Sequence, residues 1–265
     1  MEQLQLREKE IFETLKKISK SKFVVVGGYA VNAYTLPRFS VDCDIVIKDR
    51  KELQDIAEVL HALDYQRVKN IFEEVPYEGN FERYEKEIGK NFKVSMDILI
   101  KEVIDRETKA KFSANWVFEN SSLRNLQGKT INEQLKVRII NSDALFTMKL
   151  ISCRQTDIRD IFLLINSVKD KQWIINEISQ RYDLKNRLSK ALTRINSKQF
   201  KDELQGVFGM VDNNVFERNK KLISDLERIG IAEEIAKKSK LTQADADKIS
   251  DLVKKGIAKN HGIKD

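Results

Sequence analysis

The sequence predicts an α+β protein in which a strand-bearing first part gives way to helices alone, and three observations carry that prediction. Strand patterns crowd the first half: short apolar runs at residues 23–26 and 43–47, then a strict alternation over 92–100. There Val94, Met96, Ile98 and Ile100 share one face while Lys93, Ser95 and Asp97 share the other. After Asn141 the apolar residues fall at helical spacing in segment after segment. Charged residues make up 34% of the chain and Pro occurs only twice, which favours helices and short connections over a sandwich of strands.

In chain order, Ile11, Phe12, Leu15 and Ile18 place a helix over 8–18. The run at 23–26 reads as a buried strand ended by a Gly27-Gly28 turn. The helix after it, 29–34, stops near Pro37, whose ring lacks an N–H and pushes Leu36 out of the helical region. Residues 43–47 give a second strand, and 51–63 an amphipathic helix on Leu53, Ile56, Val59, Leu60 and Leu63. Residues 65–68 give a short strand. Strand-like pieces are expected at 114–118 and 135–140, then helices at 143–153, 157–167 and 172–180. Thr242, with Asp245 three residues on, opens a last helix over 244–259. The switch in pattern divides the chain into units 1–168 and 169–265.

Composition narrows the chemistry. No apolar run approaches the roughly 20 residues of a membrane span, and the first ten residues mix acidic, basic and polar side chains unlike a signal peptide. A cytoplasmic protein with no membrane partner is expected. Two cysteines, Cys43 and Cys153, and two histidines, His61 and His261, argue against a disulfide framework, a zinc site or a His-based triad. Carboxylate chemistry on a hard cation remains open. The net charge is +7, and from Lys185 onward 18 Lys and Arg stand against 12 Asp and Glu, so the basic excess sits in the C-terminal part. That bias suits a polyanionic partner such as RNA.

Asp42 and Asp44 lie two apart at the start of a strand, so both project to one face. Carboxylates held that close repel, and a cation between them favours the ionised form of both. Mg²⁺ suits them because it takes one or two carboxylates together with phosphate oxygens. Gly27-Gly28, between a buried strand and a helix, offers bare backbone N–H groups to a phosphate. Asp97, on a strand otherwise apolar around it, needs either a metal or a basic partner such as Lys93.

The stretch VVVGGYAVNAYTLPRFSVDCDIVI resembles the first motif of the DNA polymerase beta nucleotidyltransferase superfamily: a strand, Gly-Gly, a helix, Arg-x-Ser and Asp-x-Asp. Gly27, Gly28, Arg38, Ser40, Asp42 and Asp44 carry it, and VSMDILI supplies a third carboxylate at Asp97. ALFTMKLISCRQTDIRDI is similar to the lysine and Arg-x-Lys-Asp-x-x-Asp motifs of the AbiEii toxin-like branch. Lys149, Arg154, Asp157 and Asp160 match, and Thr156 stands where that branch has a second lysine.

The resemblance implies a nucleotidyltransferase-type mixed sheet with flanking helices, followed by an all-helical C-terminal domain. It also implies two Mg²⁺ ions between Asp42, Asp44 and Asp97 and the triphosphate of an NTP. Gly27, Gly28 and Ser40 would cradle phosphate, and Lys149 would neutralise its developing charge. Arg38 would belong to the substrate site; Arg154, Asp157 and Asp160 would shape the far wall. The acceptor implied is a hydroxyl of tRNA or another RNA, in a toxin with a cognate antitoxin protein. A small molecule or a protein hydroxyl is the alternative acceptor, and a non-catalytic RNA-binding protein of the same fold the alternative class. A metal-dependent glycosyltransferase would share the Asp-x-Asp but leaves Gly27-Gly28 and Asp97 unexplained.

Overall fold

The computed structural model describes residues 2–68, 80–90, 92–132, 134–209 and 211–238. The helix expected at 244–259 lies outside them. Helix α1 (Glu2–Lys17) buries Ile11, Phe12 and Leu15, the stripe read from the sequence. Strand β1 (Val24–Val25) leads straight into the short helix α2 (Gly27–Val31), so Gly27 and Gly28 form the first turn of that helix and not a separate turn before it. Strand β2 (Asp42–Ile47) follows, then α3 (Arg50–Ala62), whose first turn is capped by the Asp49 carboxylate accepting from the N–H groups of Lys51 and Glu52.

The sheet continues through β3 (Gln66–Arg67), β4 (Phe81–Gly89) and β5 (Phe92–Ile100). A small hairpin, β6 (Glu102–Ile104) and β7 (Lys111–Ser113), precedes helix α4 (Ala114–Glu119). Strands β8 (Ser121–Leu126) and β9 (Leu135–Ile140) complete it. The seven strands run in the order β3-β4-β5-β2-β1-β9-β8, a mixed sheet with parallel pairs at β2/β5 and β1/β9 and antiparallel pairs elsewhere. Its central strands, β1, β2 and β5, are buried on both faces from Val94 to Ile100 and from Ile45 to Ile47, as helices on either side require.

Residues 114–118, expected as a strand, are helical. The Ser113 hydroxyl accepts from the Trp116 N–H, which fixes the first turn, and Ala114 and Val117 then face inward three residues apart. Four strands escaped the sequence reading, the short hairpin strands β6 and β7 and the longer β4 and β8. In β4 the sequence FERYEKEIG carries charge on both faces, and β8, SSLRNL, is a polar edge strand, so neither shows the apolar alternation of a half-buried strand.

After Asn141 the described residues are helical: α5 (Ser142–Ser152), α6 (Gln155–Leu164) with a 3₁₀ turn (Ile165–Ser167), α7 (Lys171–Ser179), α8 (Leu184–Ile195), α9 (Lys198–Phe208) and α10 (Asn213–Lys238). Cys153, in the left-handed conformation at φ 48°, breaks α5 from α6 and turns the chain back on itself. The later helices pack on this pair. Phe162 meets Phe200 edge-on at 5.3 Å and Phe216 at 5.0 Å, and Asn219 donates to the Phe162 carbonyl at 2.9 Å. Trp116 of α4 stacks on Trp173 of α7 and donates its indole N–H to Glu177 at 2.8 Å. Among the described residues no helix is long and apolar enough to cross a membrane.

Ser113→Ala removes the acceptor that closes the first turn of α4. The substitution is expected to lower unfolding stability by about 1 kcal/mol in urea titration; an unchanged midpoint would show that tertiary packing alone holds this helix.

Candidate active site

The site is assembled by strand register. Parallel pairing of β2 with β5 sets Asp42 beside Ser95 and Asp44 beside Asp97, and antiparallel pairing of β5 with β4 sets Arg83 opposite Asp97. Side chains opposite one another on neighbouring strands share a face. Arg83, Asp97 and Asp44 therefore form one row across three strands, with Ser95 and Asp42 in the next row but one along the same face.

The contacts follow from that arrangement. Arg83 forks onto Asp97, Nε to Oδ1 at 2.7 Å and Nη2 to Oδ2 at 2.6 Å, and the same Nη2 lies 3.8 Å from Asp42 Oδ2. Arg83, not Lys93, is thus the basic partner of Asp97; Lys93 pairs with Glu85 at 3.0 Å. The Ser95 hydroxyl donates to Asp42 Oδ1 at 3.0 Å. No cationic side chain pairs with Asp44 among the described residues. Burial, followed by the negative charges of Asp97 and Asp42, pushes the Asp44 carboxyl up to about 7. Burial likewise raises Asp97, and the Arg83 fork opposes but does not cancel it.

Gly27 runs directly beneath this row. Its φ is +65°, and a Cβ there would lie 1.9 Å from Asp44 Oδ2, so only glycine lets the backbone pass so close to the carboxylate. At Gly28 a Cβ would lie 2.2 Å from the Ser40 hydroxyl oxygen, which places Ser40 against the same turn.

A second cluster of alternating charge stands across the cleft from the carboxylates. Lys149, on the last turn of α5, reaches Asp157 Oδ1 at 2.6 Å and Asp160 Oδ2 at 3.0 Å, both on α6. Arg38 holds the same Asp160 in a fork, Nε at 2.8 Å and Nη2 at 2.7 Å, and donates to the Phe39 carbonyl at 3.0 Å. The other oxygen of Asp157 accepts from the Arg154 N–H at 3.3 Å, closing the first turn of α6. Burial alone would raise Asp160, but the charges of Lys149 and Arg38 hold it below the ordinary carboxylate value. Burial would also lower Lys149, and Asp160 and Asp157 more than offset this, so its ammonium stays charged.

Between the clusters opens a cleft of about 390 Å³. Gly27, Gly28, Asp42, Asp44, Asp97, Lys149, Arg154 and Asp157 line it. Arg38, Ser40 and Asp160 do not; Arg38 and Asp160 form a buried ion pair behind the wall, and through it they fix Lys149. Arg83 and Arg106 line the cleft too and were not found from the sequence. Recognising 81–89 as a strand beside 92–100 would have exposed Arg83, because a basic residue facing a carboxylate across a hairpin is the pairing such a strand allows. Arg106 sits on the β6–β7 turn next to Asp105. That carboxylate, despite burial, is held below the usual range by hydrogen bonds from Thr108 and Ser152 and by the Arg154 charge. Phe112, Val103, Ile104, Leu145 and Met148 give the cleft an apolar side.

The donor set fits a hard divalent cation at Asp42 and Asp44: two carboxylate ligands on one face, one of them without a cationic side-chain partner among the described residues and driven up in pKa by burial and then by negative neighbours. Asp97 has both oxygens engaged by Arg83. Among the described residues no group of three acidic, His or Cys side chains forms a ready-made metal cage.

A family described as nucleotidyl transferase AbiEii toxin, of the type IV toxin-antitoxin system, matches residues 12–217. The chain belongs to the AbiEii nucleotidyltransferase toxin family. It is a nucleotidyltransferase by that membership. No curated protein sequence matches it. Among solved structures it is similar to a protein from H. pylori assigned as a nucleotidyltransferase, at 14% identity and a TM-score of 0.46, over 90% of this chain and 99% of that one. It is also similar to ANT(2″)-Ia, solved with adenylyl-2″-tobramycin, at 14% identity and a TM-score of 0.43, over 68% of this chain and 97% of that one.

Asp160→Asn leaves the buried Arg38 and Lys149 short of their shared counter-charge and is expected to cost about 3–5 kcal/mol of stability near neutral pH. The sign with pH follows from the depressed value. The ion pair contributes fully above the ordinary carboxylate value of 3.8 and is lost as pH falls through the lower folded value. Urea titrations from pH 7 to pH 3 should show the gap between wild type and variant narrowing toward acid; a constant gap would mean Asp160 acts through packing.

Proposed function

We propose that the protein transfers a nucleotide from a metal-bound NTP to an acceptor hydroxyl, with RNA such as tRNA as the acceptor, and that it is the toxin of a toxin-antitoxin pair with a cognate antitoxin protein as partner. The observation that carries the reading is the cleft itself, which sets the Asp42, Asp44 and Asp97 carboxylates on one wall and the fixed cation of Lys149 on the other, with the close Gly27-Gly28 turn between them.

In this reading Asp42 and Asp44 hold Mg²⁺, which when bound would polarise the phosphate under attack. The chain's own groups do the rest. Lys149, kept charged by Asp157 and Asp160, offsets negative charge developing on the phosphates, and Arg38 fixes it by gripping Asp160 from behind. Gly27 and Gly28 let phosphate oxygens approach the backbone. Arg106 and Arg154 at the mouth attract the triphosphate, and the apolar side around Phe112 and Met148 receives the base.

The RNA acceptor is favoured by a second groove that meets the cleft at Arg154. Lys190 and Arg194 line it together with Cys153, Ile158 and Thr193. Lys190 shares the single carboxylate of Glu107 with Arg187, and Arg194 pairs with Glu203. A phosphate chain lying there would release counterions, and binding would weaken steeply with salt.

Incubation with each α-labelled NTP, Mg²⁺ and total cellular RNA should label RNA, and Asp42→Asn or Asp44→Asn should reduce the label about 10²-fold or more. Undiminished transfer by both variants would rule out the carboxylate role. The double substitution Lys190→Ala with Arg194→Ala is expected to weaken RNA binding and to reduce the salt dependence by about one to two phosphate contacts. An unaltered slope would move the acceptor track elsewhere.

A further inference from the structure

We propose that Arg83 takes the place of the second cation in this site, so that the enzyme works with one resident divalent ion at Asp42 and Asp44 and a guanidinium of its own at Asp97. The inference rests on the reading of Asp42 and Asp44 as metal ligands. It departs from the two-ion arrangement that the motifs imply.

Three observations support it. The fork takes both oxygens of Asp97, at 2.7 and 2.6 Å, so a cation arriving there must displace two charge-assisted hydrogen bonds. The position is dictated by the backbone, because Arg83 is the residue opposite Asp97 in an unbroken stretch of the β4–β5 ladder, with the register shift lying further along at Glu87 and Gly89. Arg83 also lines the cleft and reaches to 3.8 Å from Asp42 Oδ2, placing its charge between the Asp97 and Asp42 carboxylates. Asp44, one strand further along the same row, is left without a cationic partner among the described residues. The chain thus neutralises Asp97 itself and leaves Asp44 to an ion.

The substitution changes what the site can do. A guanidinium stays protonated at any working pH, so it supplies fixed positive charge beside the reacting phosphate and neither binds hydroxide nor accepts a proton. A planar fork also orients Asp97 more narrowly than a spherical ion would, and a dication beside it would meet direct like-charge repulsion.

The test counts ions. Mn²⁺ is titrated into the full-length chain with each of the four NTPs as an α,β-methylene analogue, and bound Mn²⁺ is read by electron paramagnetic resonance. One Mn²⁺ per chain is expected for wild type and for Arg83→Lys, which keeps the charge, and two for Arg83→Gln. Two ions in wild type would overturn the proposal without need of any variant. One ion in a folded Arg83→Gln would also overturn it, since Arg83 would then not be what limits the count. No ion in wild type would remove the reading of Asp42 and Asp44 as ligands, and this inference with it, and so is told apart from the other two failures.

Discussion

The pairing of β4, β5 and β2 is the constraint on which the site depends. Backbone hydrogen bonds between these strands decide that Arg83, Asp97 and Asp44 stand abreast, and nothing about the side chains themselves would hold three such groups in a row. A carboxylate beside a carboxylate is repulsive, and the sheet overcomes this by burying apolar surface on its other face: Cys43, Ile45, Met96 and Ile98 are all fully buried. The same apolar packing that forms the core therefore bears the electrostatic cost of the site. A slip of one residue in either pairing would send the acidic side chains into the core and the apolar ones into the cleft.

The two charged clusters divide the work of rigidity. On the sheet side the groups are set by register and stay partly uncompensated, with Asp44 ionising only near 7. On the helix side every charge is answered: Arg38 by Asp160, Lys149 by Asp160 and Asp157, and Asp157 by the N–H of Arg154. A compensated wall facing an uncompensated one is what a binding site for a charged ligand needs. One side gains from the ligand's cation, and the other is already arranged for its anion at no cost in reorganisation when it arrives.

How much of this the sequence discloses follows from where information is local. Asp42 and Asp44, two apart on a strand, and Asp97, on the cleanest alternating run of the chain, could be placed on their faces from spacing alone. Lys149, Arg154 and Asp157 were legible as neighbours because α5 and α6 are adjoining helices. Arg83 was not, since its strand is charged on both faces and owes its conformation to the neighbour it pairs with. The residues 114–118 failed in the opposite sense: Trp, Val and Phe favour strands, but one serine hydroxyl in front of them closes a helical turn instead. For Arg38 the sequence pointed to the right neighbourhood without disclosing that the guanidinium faces away from the cleft, a fact fixed only by α6 lying behind it.

The Arg38–Asp160 fork joins residues 122 apart in the chain. Until α6 has left the ribosome, Arg38 has no carboxylate to receive it and Lys149 lacks both of the groups that hold it over the cleft. A chain still being made therefore carries its acidic residues early and completes the opposite wall late. This order of synthesis leaves the wall opposite the carboxylates unfinished until Asp160 has been made.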